Sequence, residues 1–166
     1  MQAIRRAVLA ADRITTQAAM VAACIALAVA VFAGAWQVTA RFLTETPSVW
    51  SEALVRTALI WMVLLGLSAT MRQGALISID VAHRLARGAA RRALEVVALA
   101  ASLLVLAVLF WHGWTMAQRV SLQVMAGMEI SIAWGYAAIP VGAAFAMIGT
   151  VAHFLDRRSA ELETAV

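Results

Sequence analysis

Trp50-Ser51-Glu52-Ala53-Leu54-Val55-Arg56 opens an apolar run that passes through Gly66 to Met71 and leaves as Arg72-Gln73-Gly74-Ala75-Leu76-Ile77-Ser78-Ile79-Asp80. Read as a helix from about residue 49 to 71 at 1.5 Å per residue, the run can cross a hydrocarbon core of about 30 Å. Glu52 and Arg56 stand four apart, in the order that favours a pair on one helix face. That face continues through Leu59, Val63, Gly66 and Thr70. Arg56 lies about 6 to 9 Å below the helix start, shallow enough for its long stem to carry the charge back to the surface. A chain whose centre reads this way belongs in a bilayer.

Composition agrees. With 64% hydrophobic and 13% charged residues and a mean hydropathy of +0.88, there is too little polar surface to cover a soluble globule. The 13 basic residues are all Arg, against nine acids, for a net charge of +4. They sit between apolar runs rather than on one soluble face, which fits membrane topology and phospholipid head groups and argues against nucleic acid. Cys24 is the single cysteine, so no intrachain disulfide or Cys metal cluster can form; inside an apolar run it reads as a small packing residue.

Working outward, three further runs have the length of a span. The first covers about residues 18–38. Arg5, Arg6 and Arg13 precede it and Ala33-Gly34-Ala35 imitates a cleavage site, but the run is longer than a signal peptide's apolar region, so it reads as a retained span. Ala19, Ala22, Ala23, Ala26, Ala30 and Ala33 recur at threes and fours, a smooth face for close helix approach. Ahead of it, Ile4, Val8 and Ala11 predict a short amphipathic lead lying on the membrane surface. Pro47 separates spans one and two, and Ser48 or Ser51 can cap the second.

After Met71, Ile77, Val81 and Leu85 alternate with Arg72, His83, Arg84 and Arg87, which predicts an interfacial helix ending near Gly88. Span three covers about 94–114. Val120, Val124 and Met128 among Gln118, Arg119, Gln123 and Glu129 predict a second surface-lying helix over 115–131. Span four covers about 132–154. Gly135, Gly142 and Gly149 fall one heptad apart with Ala138 and Ala146 between, leaving a stripe without bulk that should face protein; Pro140 is tolerated with a kink. The tail from Asp156 should fray. Residues 1–166 therefore read as one domain, an all-α integral membrane fold of four transmembrane helices with amphipathic interfacial helices.

Arg counting orients it. Three Arg precede span one, five lie between spans two and three, and two follow span four, whereas the other side has Arg41, Arg56 and Arg119. Both termini are expected in the cytoplasm. Trp36, Trp50, Trp111, Trp114, Trp134 and Tyr136 fall near the outer span ends, with only Trp61 at mid-depth. Trp36, Trp50, Trp114 and Trp134, with Arg84, Arg87 and Arg91, are the expected lipid-interface residues.

Chemistry is scarce. Glu52 and Arg56 can be read as a proton or substrate site, but better fit a pair that fixes the end of span two or binds an adjacent chain, and Glu95, beside Arg91 and Arg92, suits a helix N-terminus. His112 and His153 lie near opposite span ends, roughly 25 Å apart along the membrane normal, so they cannot share one haem iron. His83 belongs to the surface segment. No nucleophile set, phosphate loop or metal spacing appears, so no enzyme and no cofactor are expected. None of the nine acids lies at mid-depth, as a proton-coupled drug exporter would need.

The chain resembles the small membrane subunits of tripartite ATP-independent periplasmic (TRAP) transporters. The resemblance rests on Trp50-Ser51-Glu52-Ala53, Arg56, Gly66, Arg72, Gly74, Asp80 and Tyr136-Ala137-Ala138-Ile139-Pro140-Val141-Gly142, in matched order from about residue 41 to 144. Ala53, Leu76 and Ser131 depart from the family's usual acid, His and Pro. The resemblance implies a non-catalytic brace in the bacterial inner membrane. Its partner would be a large elevator-type subunit that holds the sodium ions and the substrate, and a periplasmic binding protein would deliver an organic acid. Expected partner-interface residues are Glu52, Arg56, Gly66, Gly135, Gly142 and Gly149, with Arg119 and Glu129 for contact on the periplasmic side. The alternative is a membrane scaffold or assembly subunit of an unrelated complex.

Overall fold

The computed structural model describes residues 2–43, 48–73 and 89–164, with side-chain surroundings for 12–43, 48–72 and 93–155. Four helices make up the fold: α1 (Gln2–Leu43), α2 (Val49–Gln73), α3 (Ala89–Arg119) and α4 (Ala133–Thr164). Each contains a segment long and apolar enough to cross a membrane: Asp12–Leu43, Val49–Arg72, Ala93–Arg119 and Ala133–Leu155. The chain is a multi-pass membrane protein. The interfacial helix expected after Met71, with Gly74, Asp80, His83, Arg84 and Arg87, lies outside the described residues, as does Pro47.

In space the helices follow the order α1, α2, α4, α3. Packing joins α1 to α2, α2 to α4 and α4 to α3, with a lesser contact between α1 and α4; among the described residues α3 touches only α4. Small residues make these approaches possible. On α1 the buried positions Asp12, Ala19, Ala23, Ala30, Ala33 and Ala40 follow a spacing of three, four or seven, the 3.5-residue period of a supercoiled seam. Ala22 is exposed and lies off this seam. On α2 the matching positions Ser51, Ala58 and Leu65 are buried one heptad apart, and Arg72 follows at the same interval. Cys24, expected to pack, is exposed instead.

The glycine stripe of α4 is used within the chain. A Cβ on Gly142 would lie 2.7 Å from the carbonyl oxygen of Leu64, and one on Gly149 would lie 3.1 Å from that of Ser68. Gly135 is also buried, with Met125 at ordinary contact distance. Gly113 of α3 plays the same part against Ile139 and Pro140, where a Cβ would meet the proline ring at 2.9 Å. Helix α4 continues through Pro140.

Three further expectations are corrected. The amphipathic lead is no separate element: α1 runs unbroken for 42 residues, about 63 Å, because no Gly or Pro interrupts it before Gly34. The tail remains helical to Thr164, in keeping with the helix-forming residues after Asp156. The segment 120–132 is not a surface helix but a short hairpin. Val124 bridges Ser131, the Met125 N–H donates to the Ile130 carbonyl at 2.8 Å and the Ile132 N–H to that of Gln123 at 2.8 Å. Gly127 at φ 85° and Glu129 at φ 50° make the turn, a backbone sign that a right-handed helix excludes.

Candidate functional site

Charge gathers at the two ends of the helix row, in opposite ways. At the end that carries both termini, Asp12 is 1% exposed and its carboxylate pairs with the Arg72 Nε–H across 60 residues of chain. The Thr16 hydroxyl donates to Asp12 Oδ1 at 3.3 Å, and the Thr15 hydroxyl to the Asp12 carbonyl at 3.0 Å. Arg72 stands in the last turn of α2, where a cation complements the helix dipole. The His153 ring bonds the Arg72 backbone carbonyl at 3.0 Å through Nδ1. A carbonyl only accepts, so the proton sits on Nδ1. Three helices, α1, α2 and α4, are thereby fastened at one point. These bonds tie helix to helix, so the cluster reads as a lock between α1, α2 and α4.

The opposite end begins with the cap of α2. The Ser51 N–H donates to the Ser48 carbonyl at 3.3 Å, the Ser51 hydroxyl donates to the same oxygen at 2.7 Å, and the two hydroxyls lie 2.6 Å apart. Ser48 therefore precedes the helix as the sequence predicts, and Ser51 is fully buried. One turn on, Arg56 meets Glu52 at 2.9 Å, with side chains 73% and 60% exposed. The rest of that face, Leu59, Val63 and Thr70, is exposed as well, and a Cβ on Gly66 would meet nothing within 4 Å. The whole face named by Glu52 and Arg56 points away from the chain.

Beside it the hairpin is fastened to α2. The Thr57 hydroxyl reaches Met125 Sδ at 3.6 Å, a Cβ on Gly127 would lie 2.9 Å from the Trp50 nitrogen, and Trp61 Nε1–H donates to the Trp134 carbonyl at 3.0 Å. Arg119 ends the helix before this hairpin and Glu129 lies in its turn; both are exposed. Trp36, Trp50, Trp114 and Trp134 are exposed at the same end. The side chain of Arg91 falls outside the described set, along with Arg84 and Arg87.

Glu52, Arg56 and Gly66 therefore share an outward face, whereas Gly135, Gly142 and Gly149 face inward. Asp12, His153 and Gly113 were missed as structural residues. Asp12 could have been found: it lies seven residues before Ala19 on the same seam, just as Arg72 lies seven after Leu65 on α2. Among the described residues no three His, Cys, Asp or Glu side chains gather to hold a metal.

Comparison with known proteins places this geometry. The profile of the DctQ component of tripartite ATP-independent periplasmic transporters matches residues 30–160. A protein described as the sialic acid TRAP transporter small permease protein SiaQ, from Vibrio cholerae serotype O1, is 28% identical over 110 residues. That match covers 66% of this chain and 64% of the relative, so the chain spans just under two thirds of the length of the curated relative it matches.

Proposed function

The chain belongs to the DctQ-component family of TRAP transporters, and on that premise we propose that it is the fixed, non-catalytic brace of a sodium-coupled uptake system. In this reading the chain sits in the bacterial inner membrane with both termini in the cytoplasm. It holds a large elevator-type membrane subunit, and a periplasmic binding protein supplies an organic acid. Sodium and substrate belong to the large subunit.

One observation carries the reading: the outward face of α2 joins an exposed charge pair to a bare glycine along a membrane-length helix. A face turned only to lipid gains nothing from a Glu–Arg pair, whereas a second polytopic protein can meet both charges and approach closely at Gly66. With Gly142 and Gly149 used inside the chain, Gly66 is the expected interface glycine that stays open. Arg counts support the proposed orientation. Arg119 and Glu129, exposed beside the hairpin, are the proposed contacts with the binding protein.

Affinity purification of the tagged chain from mild detergent, with mass identification of the co-purifying protein, tests this directly. Recovery of a large polytopic permease supports the brace. Recovery of the chain alone, or of an unrelated complex, overturns it in favour of a scaffold outside transport.

A further inference from the structure

The hairpin between α3 and α4 fills a step. From the close contact of Leu64 with Gly142, α2 continues fifteen residues back to Val49 while α4 continues only nine to Ala133. At 1.5 Å per residue α4 therefore starts about 9 Å short of α2. The hairpin occupies that space rather than projecting beyond it: Gly127 lies against Trp50 at the first turn of α2, and Met125 reaches Thr57 two turns further in. It is held at the depth of the exposed tryptophans Trp50, Trp114 and Trp134, the level at which such rings mark the boundary between head groups and acyl chains.

At that depth its composition is informative. Met125 turns inward, but Leu122 is 94% exposed and Val124 is exposed beside it. Nothing among the described residues covers them, and in water they would be costly. Part of the hairpin's backbone is paired within the chain. The Val120 N–H donates to Met116, Gln123 to Val120, Met125 to Ile130 and Ile132 to Gln123, and the Ser131 hydroxyl donates to the Ser121 carbonyl at 2.7 Å. Lipid-exposed irregular backbone is excluded from the hydrocarbon core, so the level at which this hairpin can meet lipid is the head-group boundary, where water still reaches its remaining polar groups.

The geometry points to a lipid-anchoring role for this hairpin: the Leu122–Val124 edge rests in the acyl–head-group boundary of one leaflet and pins the outer end of the helix row at that depth. The ligand of the Leu122–Val124 edge itself is the bilayer, not a protein.

The test is a spin label at Leu122→Cys in the full chain carrying Cys24→Ser, reconstituted in nanodiscs of phosphatidylethanolamine and phosphatidylglycerol with any co-purifying subunit retained. A label at Phe32→Cys, on the exposed side of α1, serves as the lipid reference. The expected result is stronger relaxation by oxygen than by a water-soluble nickel chelate at Leu122, and the same sign at Val124→Cys as a second variant. Stronger relaxation by nickel would place the edge in water, and protection from both reagents would place it under a protein partner; either outcome overturns the proposal. Neither bears on whether a large permease co-purifies, so the brace reading stands or falls separately.

Discussion

Two ion pairs at opposite ends of one helix row show what charge does in this protein. Asp12–Arg72 joins residues 60 apart, is almost wholly buried on the acid's side, and has Thr16 and His153 around it. Glu52–Arg56 joins residues four apart on a single helix and is mostly open. The first contributes to the fold of this chain. The second contributes little to the fold, and in the proposed function it serves a contact from outside. Exposed i,i+4 pairs stabilise by only about 0.3–0.5 kcal/mol, whereas breaking a buried pair leaves an uncompensated charge.

The contrast can be broken most forcefully at Asp12. Asp12→Ala should destabilise the isolated chain by about 3 kcal/mol, the low end for a broken buried pair because Arg72 keeps some solvent. Thermal denaturation followed by size-exclusion in detergent measures it, and Asp12→Arg combined with Arg72→Asp should recover part of the loss. An unchanged transition would show that the pair holds nothing. Next comes Gly142→Leu, whose side chain must displace the Leu64 backbone; overpacking of this kind costs about 1–3 kcal/mol. The loss should appear in the isolated chain, before any partner is added. If only co-purification suffers, the glycine faces outward and the internal account is wrong.

Gly66→Leu sharpens the comparison from the other side. With nothing within 4 Å to collide with, it should leave the thermal transition of the isolated chain within about 0.5 kcal/mol while weakening recovery of a large membrane partner. The smallest effect on the fold belongs to Glu52→Gln with Arg56→Gln, under about 0.5 kcal/mol. Reduced co-purification with an unshifted transition is the expected signature. A large shift in the transition would mean that this pair, too, serves the chain itself.

Spans were legible because hydropathy and length are local quantities. The expected limits 18–38, 49–71, 94–114 and 132–154 fall inside or within a residue of the four apolar helices. Glu52–Arg56 was legible for the same reason, a spacing of four on one helix. Asp12–Arg72 was not, since neither residue signals the other across 60 positions; only the heptad seams of Ala19 and Leu65, extended one step, lead to them. The hairpin was hidden by its own residues. Val120, Val124 and Met128 repeat every four positions as an amphipathic helix would, but Gly127 and Glu129 take positive φ and Gly127 lies against Trp50, a contact that local periodicity does not announce. Whether a glycine stripe faces a partner or the chain itself is likewise absent from periodicity, because a heptad of small residues reads the same in both cases.

The order α1, α2, α4, α3 has a consequence in time. The first two helices can meet as soon as both have entered the bilayer, with their seam and the Asp12–Arg72 pair complete within the first 73 residues. Helix α3 has no such neighbour among the described residues; its contact is with α4, which the ribosome makes afterwards. Until α4 threads between α2 and α3, the third helix must wait in lipid, oriented by its own ends alone. Assembly of this protein is thus a two-step event in which the last helix inserted is the one that joins the rest.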